Sequence, residues 1–271
     1  MLHVHLFGTF AIDVDVSTLA RAELGATARR LAAFLFSFPN KLHRREKIID
    51  LLWCDADGYR ARAAFSTALW RIRGILATDP KEQIAVRATP RDVCLELNDT
   101  RVVDAHHFRV STVDALAASG EMPDFDALER AAGLYVDPFL EEYDDDWVLD
   151  QRERLQALYI RALGKLMRGH AHHARYEDAL SYGRRILASD PMRETVQRAV
   201  MLLYILNGQR GEAIRQFERC QDALRRECDV EPAPETRALL GLIRSGEAFA
   251  KLPQLVETTL STSAADRHLS S

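Results

Sequence analysis

Residues 2–16, "LHVHLFGTFAIDVDV", alternate apolar and polar with period two and are rich in β-branched and aromatic side chains, which predicts strands. Gly8-Thr9 stands where a turn or bulge belongs. The next segment, "GATARRLAAFLFSFPN", puts Leu31, Phe34, Leu35 and Phe38 on one face of a helix that Pro39-Asn40 stops. A second helix, "HRREKIIDLLW", lies between that break and Asp55-Ala56-Asp57-Gly58. A third, "GYRARAAFSTALWRIRGIL" over 58–76, spaces Phe65, Leu69, Ile72 and Leu76 at i, i+4, i+7 and i+11, the stripe of an amphipathic helix. After Asp79-Pro80, "QIAVRATPRDVCLELNDTRVVD" reads as two short strands about a polar turn at Thr89–Asp92.

From about residue 108 the pattern is helical alone. "DFDALERAAGLY" starts one helix at Asp124, and Pro138 breaks it. A long helix is predicted from Asp146 to Arg168, with Trp147, Leu155, Leu158, Leu163 and Leu166 on its apolar side. An internal repeat follows. "YEDALSYGRRIL" (176–187) and "RGEAIRQFERCQ" (210–221) align at an offset of 34 residues, pairing Ala179 with Ala213 and Leu180 with Ile214. That offset is the tetratricopeptide period, in which a small residue lets two antiparallel helices cross closely. Tyr176 and Pro191 fit the first copy, and Tyr204, Gly208 and Phe217 the second, whereas His170 and Gly183 stand where an aromatic and a Phe are usual. The Ser/Thr-rich end, residues 247–271, is expected to be a tail.

The chain has 271 residues, 47% hydrophobic and 28% charged, ordinary values that leave room for two cores. "MLHVHLFGTF" has neither a basic n-region nor a long apolar run, so no leader is expected, and no stretch has the 18 apolar residues of a bilayer span. Cys54, Cys94, Cys220 and Cys228 lack metal-ligand spacing and read as reduced thiols of a cytoplasmic protein. The formal charge of −4 is unevenly spread. Residues 1–107 hold 15 Lys+Arg against 13 Asp+Glu, and the rest 21 against 27, giving a mildly basic front (+2) and an acidic back (−6).

The third helix carries Arg60, Arg62, Arg71 and Arg73 and no acid. Such a helix can lie on a membrane, meet an acidic partner, be a solvated surface or enter a DNA groove. At 100° per residue, Ala63, Thr67, Trp70 and Gly74 fall within about 40° of the pole opposite the apolar stripe. Arg60 and Arg71 flank that line on one side, and Arg62, Ser66 and Arg73 on the other. Small residues between arginine rails suit a major groove, where the backbone must come close and arginines reach phosphates or guanine edges. A membrane helix wants a broader apolar face, and a coiled coil several heptads.

No catalytic signature stands out: there is no phosphate-binding Gly-rich loop, GxSxG or HExxH. His170, His172 and His173 read as a solvated interhelical turn, and His106-His107 likewise. The acidic run "EEYDDDW" (141–147) reads as a cap for the helix after it. An enzyme, a metal site and a cofactor are therefore not expected.

Strands, helix, helix, basic helix and basic hairpin come in the order of a winged helix-turn-helix. "ARAAFSTALWRIRGIL" resembles the recognition helix of OmpR-type DNA-binding domains, with Arg71-Ile72-Arg73 at the arginine pair that closes it. "PNKLHRREKIIDLLWCDAD" is similar to the family's preceding helix, with Trp53 as its packing aromatic. "LYVDPFLEEYDDDWVLDQRERLQALYIRAL", "GRRILASDPMRETVQRAVMLLY" and "DVEPAPETRAL" resemble the bacterial transcriptional activator domain, which is tetratricopeptide-like in the family. The pairing is that of the antibiotic regulatory protein (SARP) type of activator. The chain departs from the pattern at Trp70, where a small polar residue is commoner, and at Ala63, where a longer polar one often stands.

The expected architecture is an α+β winged helix-turn-helix over residues 1–107, then an all-α tetratricopeptide-like domain over 108–246. The expected function is sequence-specific regulation of transcription, as an activator. Arg60, Arg62, Ala63, Ser66, Thr67, Trp70, Arg71 and Arg73 would face the major groove. Arg87 and Arg91 of the hairpin would lie near the minor groove or its phosphates, and Arg44, Arg45 and Lys47 would contact the backbone. The resemblance implies double-stranded DNA, bound as tandem direct repeats, RNA polymerase and a second copy of the chain as partners, and a place at the nucleoid. A different class of function, a protein-interaction adaptor working through the helical half, is separated from this one by retention on heparin or random DNA.

Overall fold

Alternation at the start of the chain becomes an antiparallel ribbon in the computed structural model, which describes residues 2–14, 24–77, 83–117, 125–247 and 255. Strands β1 (Leu2–His5) and β2 (Ala11–Val14) pair Leu2 with Val14 through His5 with Ala11, so Leu2, Val4 and Ile12 share a buried face. Gly8 makes the reversal at φ +75°, a conformation glycine adopts without strain.

Helix α1 (Ala26–Ser37) buries Leu31, Phe34 and Leu35, while Phe38 caps its end half-buried. Asn40 then turns at φ +60°, and its amide side chain accepts from Leu97 N–H at 2.9 Å and donates to Leu97 O at 3.0 Å. The second helix is shorter than its sequence pattern. His43–Arg44 instead form β3, paired with β5 at His43↔Val93 and Arg44↔Asp92, so α2 runs only over Arg45–Leu52. Helix α3 spans Gly58–Leu76, with Asp57 at its N-cap accepting from Tyr59 N–H. Strands β4 (Ile84–Ala88) and β5 (Asp92–Leu97) form the expected hairpin about Thr89–Arg91, in a sheet of order β3-β5-β4. Ile84, Val93, Leu95 and Leu97 turn one face of it into the core.

The helical part starts at α4 (Asp104–Ala117), before residue 108, because Asp104 is a connector. Its carboxylate accepts from the N–H groups of Leu6 (2.8 Å) and Phe7 (3.2 Å) and from its own helix at Ala105. Helices α5 (Phe125–Gly133) and α6 (Asp146–His172) follow. Phe7, Phe108, Tyr135 and Tyr159 make one aromatic stack, with Tyr135 and Tyr159 parallel at 4.3 Å. Residues 138–141 add to the N-terminal ribbon through Gly8 N–H to Pro138 O and Leu140 N–H to Leu6 O, both 2.8 Å. The chain accordingly divides into compact units at Tyr159/Ile160, within α6, later than the change of texture at residue 107.

The acidic run does more than cap a helix. Glu142 pairs with Arg29 at 2.9 Å and accepts from Phe10 N–H, and Asp145 pairs with Arg30, so α1 is its main partner. Only Asp146 sits in the first turn of α6.

The second unit, Ile160–Ser271, holds the rest of α6 with α7 (Tyr176–Ser189), α8 (Glu194–Leu206), α9 (Arg210–Cys228) and α10 (Pro234–Ser245). Helices α7 and α9 begin 34 residues apart, and Ala179 and Ala213 are both fully buried. Position 183, where Phe is usual in the repeat, holds glycine because α8 passes close: a Cβ there would lie 2.6 Å from Val200 Cγ2. His170 is not in a solvated turn. It is 3% exposed within α6 and stacks on Tyr182 at 5.3 Å. Residues 247–271, read as a tail, lie outside the described residues apart from 247 and 255.

His106 is likewise no solvated histidine. It is buried, its Nε2 is 3.1 Å from Phe36 O and its Nδ1 3.5 Å from Arg109 Nη2, which suits a neutral ring donating to the carbonyl and accepting from the guanidinium. Burial and the Arg109 charge push its pKa down to about 4. The unfolded chain protonates this ring below about 6.5 while the folded chain does not until about 4, so stability present above pH 6.5 is lost as pH falls to 4. That loss is about 3 kcal/mol. Urea midpoints measured from pH 7 to pH 4.5 should fall less steeply in His106→Gln than in the parent chain.

Gly183→Ala should destabilise by about 1–3 kcal/mol through overpacking, despite the better helix propensity of alanine. Adding Val200→Ala, which removes the obstructing methyl, should leave the double variant less destabilised than the two single losses together. Urea denaturation of the four chains reads this coupling.

Candidate nucleic-acid interface

The face offered by α3 follows from what its other face buries. Phe65, Leu69, Ile72 and Leu76 are all buried, with Ala61 and Ala68 beside them, and α3 packs on α1 along this stripe. Trp53, at the end of α2, meets Phe65 edge-on at 6.0 Å. With that stripe inward, Arg60, Arg62, Ala63, Ser66, Thr67, Trp70, Arg71, Arg73 and Gly74 are all exposed. Trp70 is 74% exposed, which excludes it from the packed interior.

The arginines are not equivalent. Arg62 is held in a two-pronged bond by Glu46 of α2, Nε to Oε1 at 3.0 Å and Nη2 to Oε2 at 2.8 Å. That guanidinium holds the Glu46 carboxyl below its ordinary range, and Glu46 in turn raises Arg62. Arg73 donates from Nη2 to Val86 O at 3.2 Å, tying α3 to β4. Arg71 lies at the head of α1, its Nη1 3.1 Å from where a Cβ on Gly25 would be. Among the described residues Arg60, Arg71 and Arg91 form no ion pair.

On the hairpin, Arg87 pairs with Glu96 across the strands at 2.6 Å, and Arg44 reaches Asp92 at 3.5 Å from β3. Arg91 and Lys47 are exposed. Arg45 is only half exposed and touches both the hairpin turn and α3. Its main-chain N–H donates to Arg91 O at 3.0 Å, and its guanidinium donates to Thr89 O and Ser66 Oγ and covers the Phe65 ring at 4.9 Å. The structure thus brings the exposed face of α3, the head of α2 and the hairpin turn together, and diverts Arg45 and Arg62 into contacts within the protein. Glu46, which holds Arg62, went unnoticed in the sequence, and Thr89, read there as part of a turn, also holds Arg45 through its carbonyl. An acid beside Arg45 in an otherwise basic segment was the available signal for the first.

No group of His, Cys, Asp and Glu that would hold a metal occurs among the described residues, and none of their helices is long and apolar enough to cross a membrane.

The model of the bacterial transcriptional activator domain matches residues 103–244. The transcriptional regulatory protein MoaR1 of Mycobacterium bovis (strain BCG / Pasteur 1173P2) is 24% identical over 224 residues, covering 78% of this chain and 70% of that protein. MoaR1 of Mycobacterium tuberculosis is 25% identical over the same extent. Among solved structures, Mycobacterium tuberculosis EmbR in complex with a low affinity phosphopeptide superposes with a TM-score of 0.72 at 19% identity, over 95% of this chain and 69% of that one, a likeness of fold. With a family model that matches more than half its length, the chain belongs to the bacterial transcriptional activator domain family, as a transcriptional regulator of the antibiotic regulatory protein type.

Proposed function

We propose that residues 1–107 act as a winged helix-turn-helix that binds double-stranded DNA, and that residues 108–246, tetratricopeptide-like, turn binding into activation. Helix α3 enters the major groove, and the β4–β5 hairpin sits as the wing over the adjacent minor groove or its phosphates. The observation that carries this reading is the rotation of α3. Its apolar stripe is wholly buried, and the opposite face, small residues with Trp70 between arginines, is wholly exposed beside an arginine-bearing hairpin. Arg60, Arg71, Arg73, Arg87 and Arg91 supply contacts to phosphates or base edges, and Arg44 and Lys47 position the backbone. Exposed pairs such as Arg87–Glu96 are worth little, so the guanidinium can exchange its carboxylate for a phosphate.

The helical part mediates contact with RNA polymerase, dimerisation on direct repeats or response to an effector. The chain works in the cytoplasm, at the nucleoid, and is assigned no catalytic activity.

Binding to a fluorescent duplex carrying the chain's own operator, first obtained by mapping bound DNA across the genome, should weaken steeply with salt, log K falling by about 0.9 per phosphate neutralised against log salt. Salt-independent retention on DNA would overturn the assignment and favour the adaptor. On the same duplex, Arg60→Ala, Arg71→Ala and Arg73→Ala should each weaken binding by about 1–3 kcal/mol where the side chain reads a base.

Trp70→Ala should change DNA affinity and leave the melting temperature of the free protein unmoved, because the ring is already solvated. A fall in melting temperature with unaltered affinity would take Trp70 off the DNA face.

A further inference from the structure

We infer that Arg45 is a positioning residue that clamps the hairpin to α3, and not a ligand of the DNA backbone. Its consequence for DNA rests on the winged-helix reading above, but its contacts do not. Arg45 is the first residue of α2, and it makes four contacts at once. Its backbone N–H donates to Arg91 O in the hairpin turn at 3.0 Å. Its Nη1 donates to Thr89 O in the same turn at 3.3 Å, and its Nη2 to Ser66 Oγ on α3 at 3.4 Å. The guanidinium carbon lies over the fully buried Phe65 ring, 4.9 Å from its centroid. An arginine that served the DNA backbone would present its donors outward, whereas here both terminal nitrogens are engaged within the protein.

The neighbouring residue grips the same helix. Glu46 takes both prongs of Arg62, one turn before Ser66, and Ser66 Oγ in turn donates to Arg62 O at 2.9 Å. At the far end of α3, Arg73 holds Val86 O of β4. The hairpin is therefore tied to α3 both at its turn, through Arg45, and on its strand, through Arg73. Only a planar fork on a long stem can bridge Thr89 O and Ser66 Oγ while lying over a ring, and a lysine ammonium, with a single point of charge, cannot.

A clamp of this kind makes the two elements offered to DNA move as one body. Sequence-specific binding needs both in register with their grooves, whereas non-specific binding needs only charge near phosphates. Loss of the clamp should thus lower discrimination and spare the salt dependence. The test uses the full chain with Arg45→Ala and Arg45→Lys. In the free protein, amide hydrogen exchange should quicken in both variants over residues 86–93 and stay unchanged in α9. With DNA, the ratio of affinities for a duplex selected from a random pool by the parent chain and for an unselected duplex should fall about tenfold in both variants. The slope of log K against log salt should stay within about half a unit of the parent's.

Unchanged exchange in both variants would overturn the clamp. So would a slope shallower by about 0.9 in Arg45→Ala and restored in Arg45→Lys with the ratio intact, the mark of a phosphate contact. If the parent chain shows no salt-dependent binding to DNA, the winged-helix reading fails, and hydrogen exchange still decides whether the clamp exists.

Discussion

The burial of one stripe on α3 sets the orientation of everything around it. Phe65, Leu69, Ile72 and Leu76 go inward together, and each large apolar side chain kept from water contributes about 1.5–3 kcal/mol. Turning the helix by one residue would swing it 100° and expose part of that stripe while driving arginines into the core. The exposed face is hence a geometric remainder of core packing, placed by hydrophobic energy and needing no partner to define it. Trp53 on Phe65 and Arg45 over the same ring show how the neighbouring helix docks on that anchor.

A second constraint explains why composition and compactness divide the chain differently. Asp104 is pulled out of water to accept from the amides of Leu6 and Phe7, just beyond β1, and its pKa rises because burial outweighs those bonds. That connector, with the Phe7–Phe108–Tyr135–Tyr159 stack and the antiparallel contact of Phe7 with Phe139, joins α4, α5 and the first half of α6 to the N-terminal ribbon. Texture along the chain reports local periodicity, so it changes near residue 107. Compactness reports which surfaces are buried against each other, and these are long-range pairs. The family model begins at residue 103, next to that connector.

The same distinction separates what could be read in the sequence from what could not. The bounds of α3, the hairpin turn, the 34-residue offset and the inward stripe all come from local patterns and their spacing along the chain, and the structure has each of them. The two-residue strand β3 was invisible because its only signature is its pairing with β5, some fifty residues on. Gly183 looked like a defect in the repeat until Val200 was placed against it. His106 and His170 looked polar and therefore wet, but Phe36 O and the Tyr182 ring give each a place inside. Arg29, Arg30 and the acidic run were each legible as charge, but their pairing spans more than a hundred residues.

The same holds within the candidate interface, where counting arginines overstates the charge on offer. Arg62 is matched by Glu46, Arg87 by Glu96 and Arg44 by Asp92, and Arg73 is held by Val86 O, so part of the exposed arginine set is already oriented within the protein. Such pairs add little stability at high exposure. What they do is narrow the rotamers of long side chains before a partner arrives, which reduces the entropy lost on binding. On the proposed function, a front half of only +2 would rely less on bulk attraction to polyanions than a strongly basic domain does. The selectivity proposed for it would then rest on where a few guanidinium groups are held, and those positions trace back through Arg45, Glu46 and Phe65 to the buried stripe of α3.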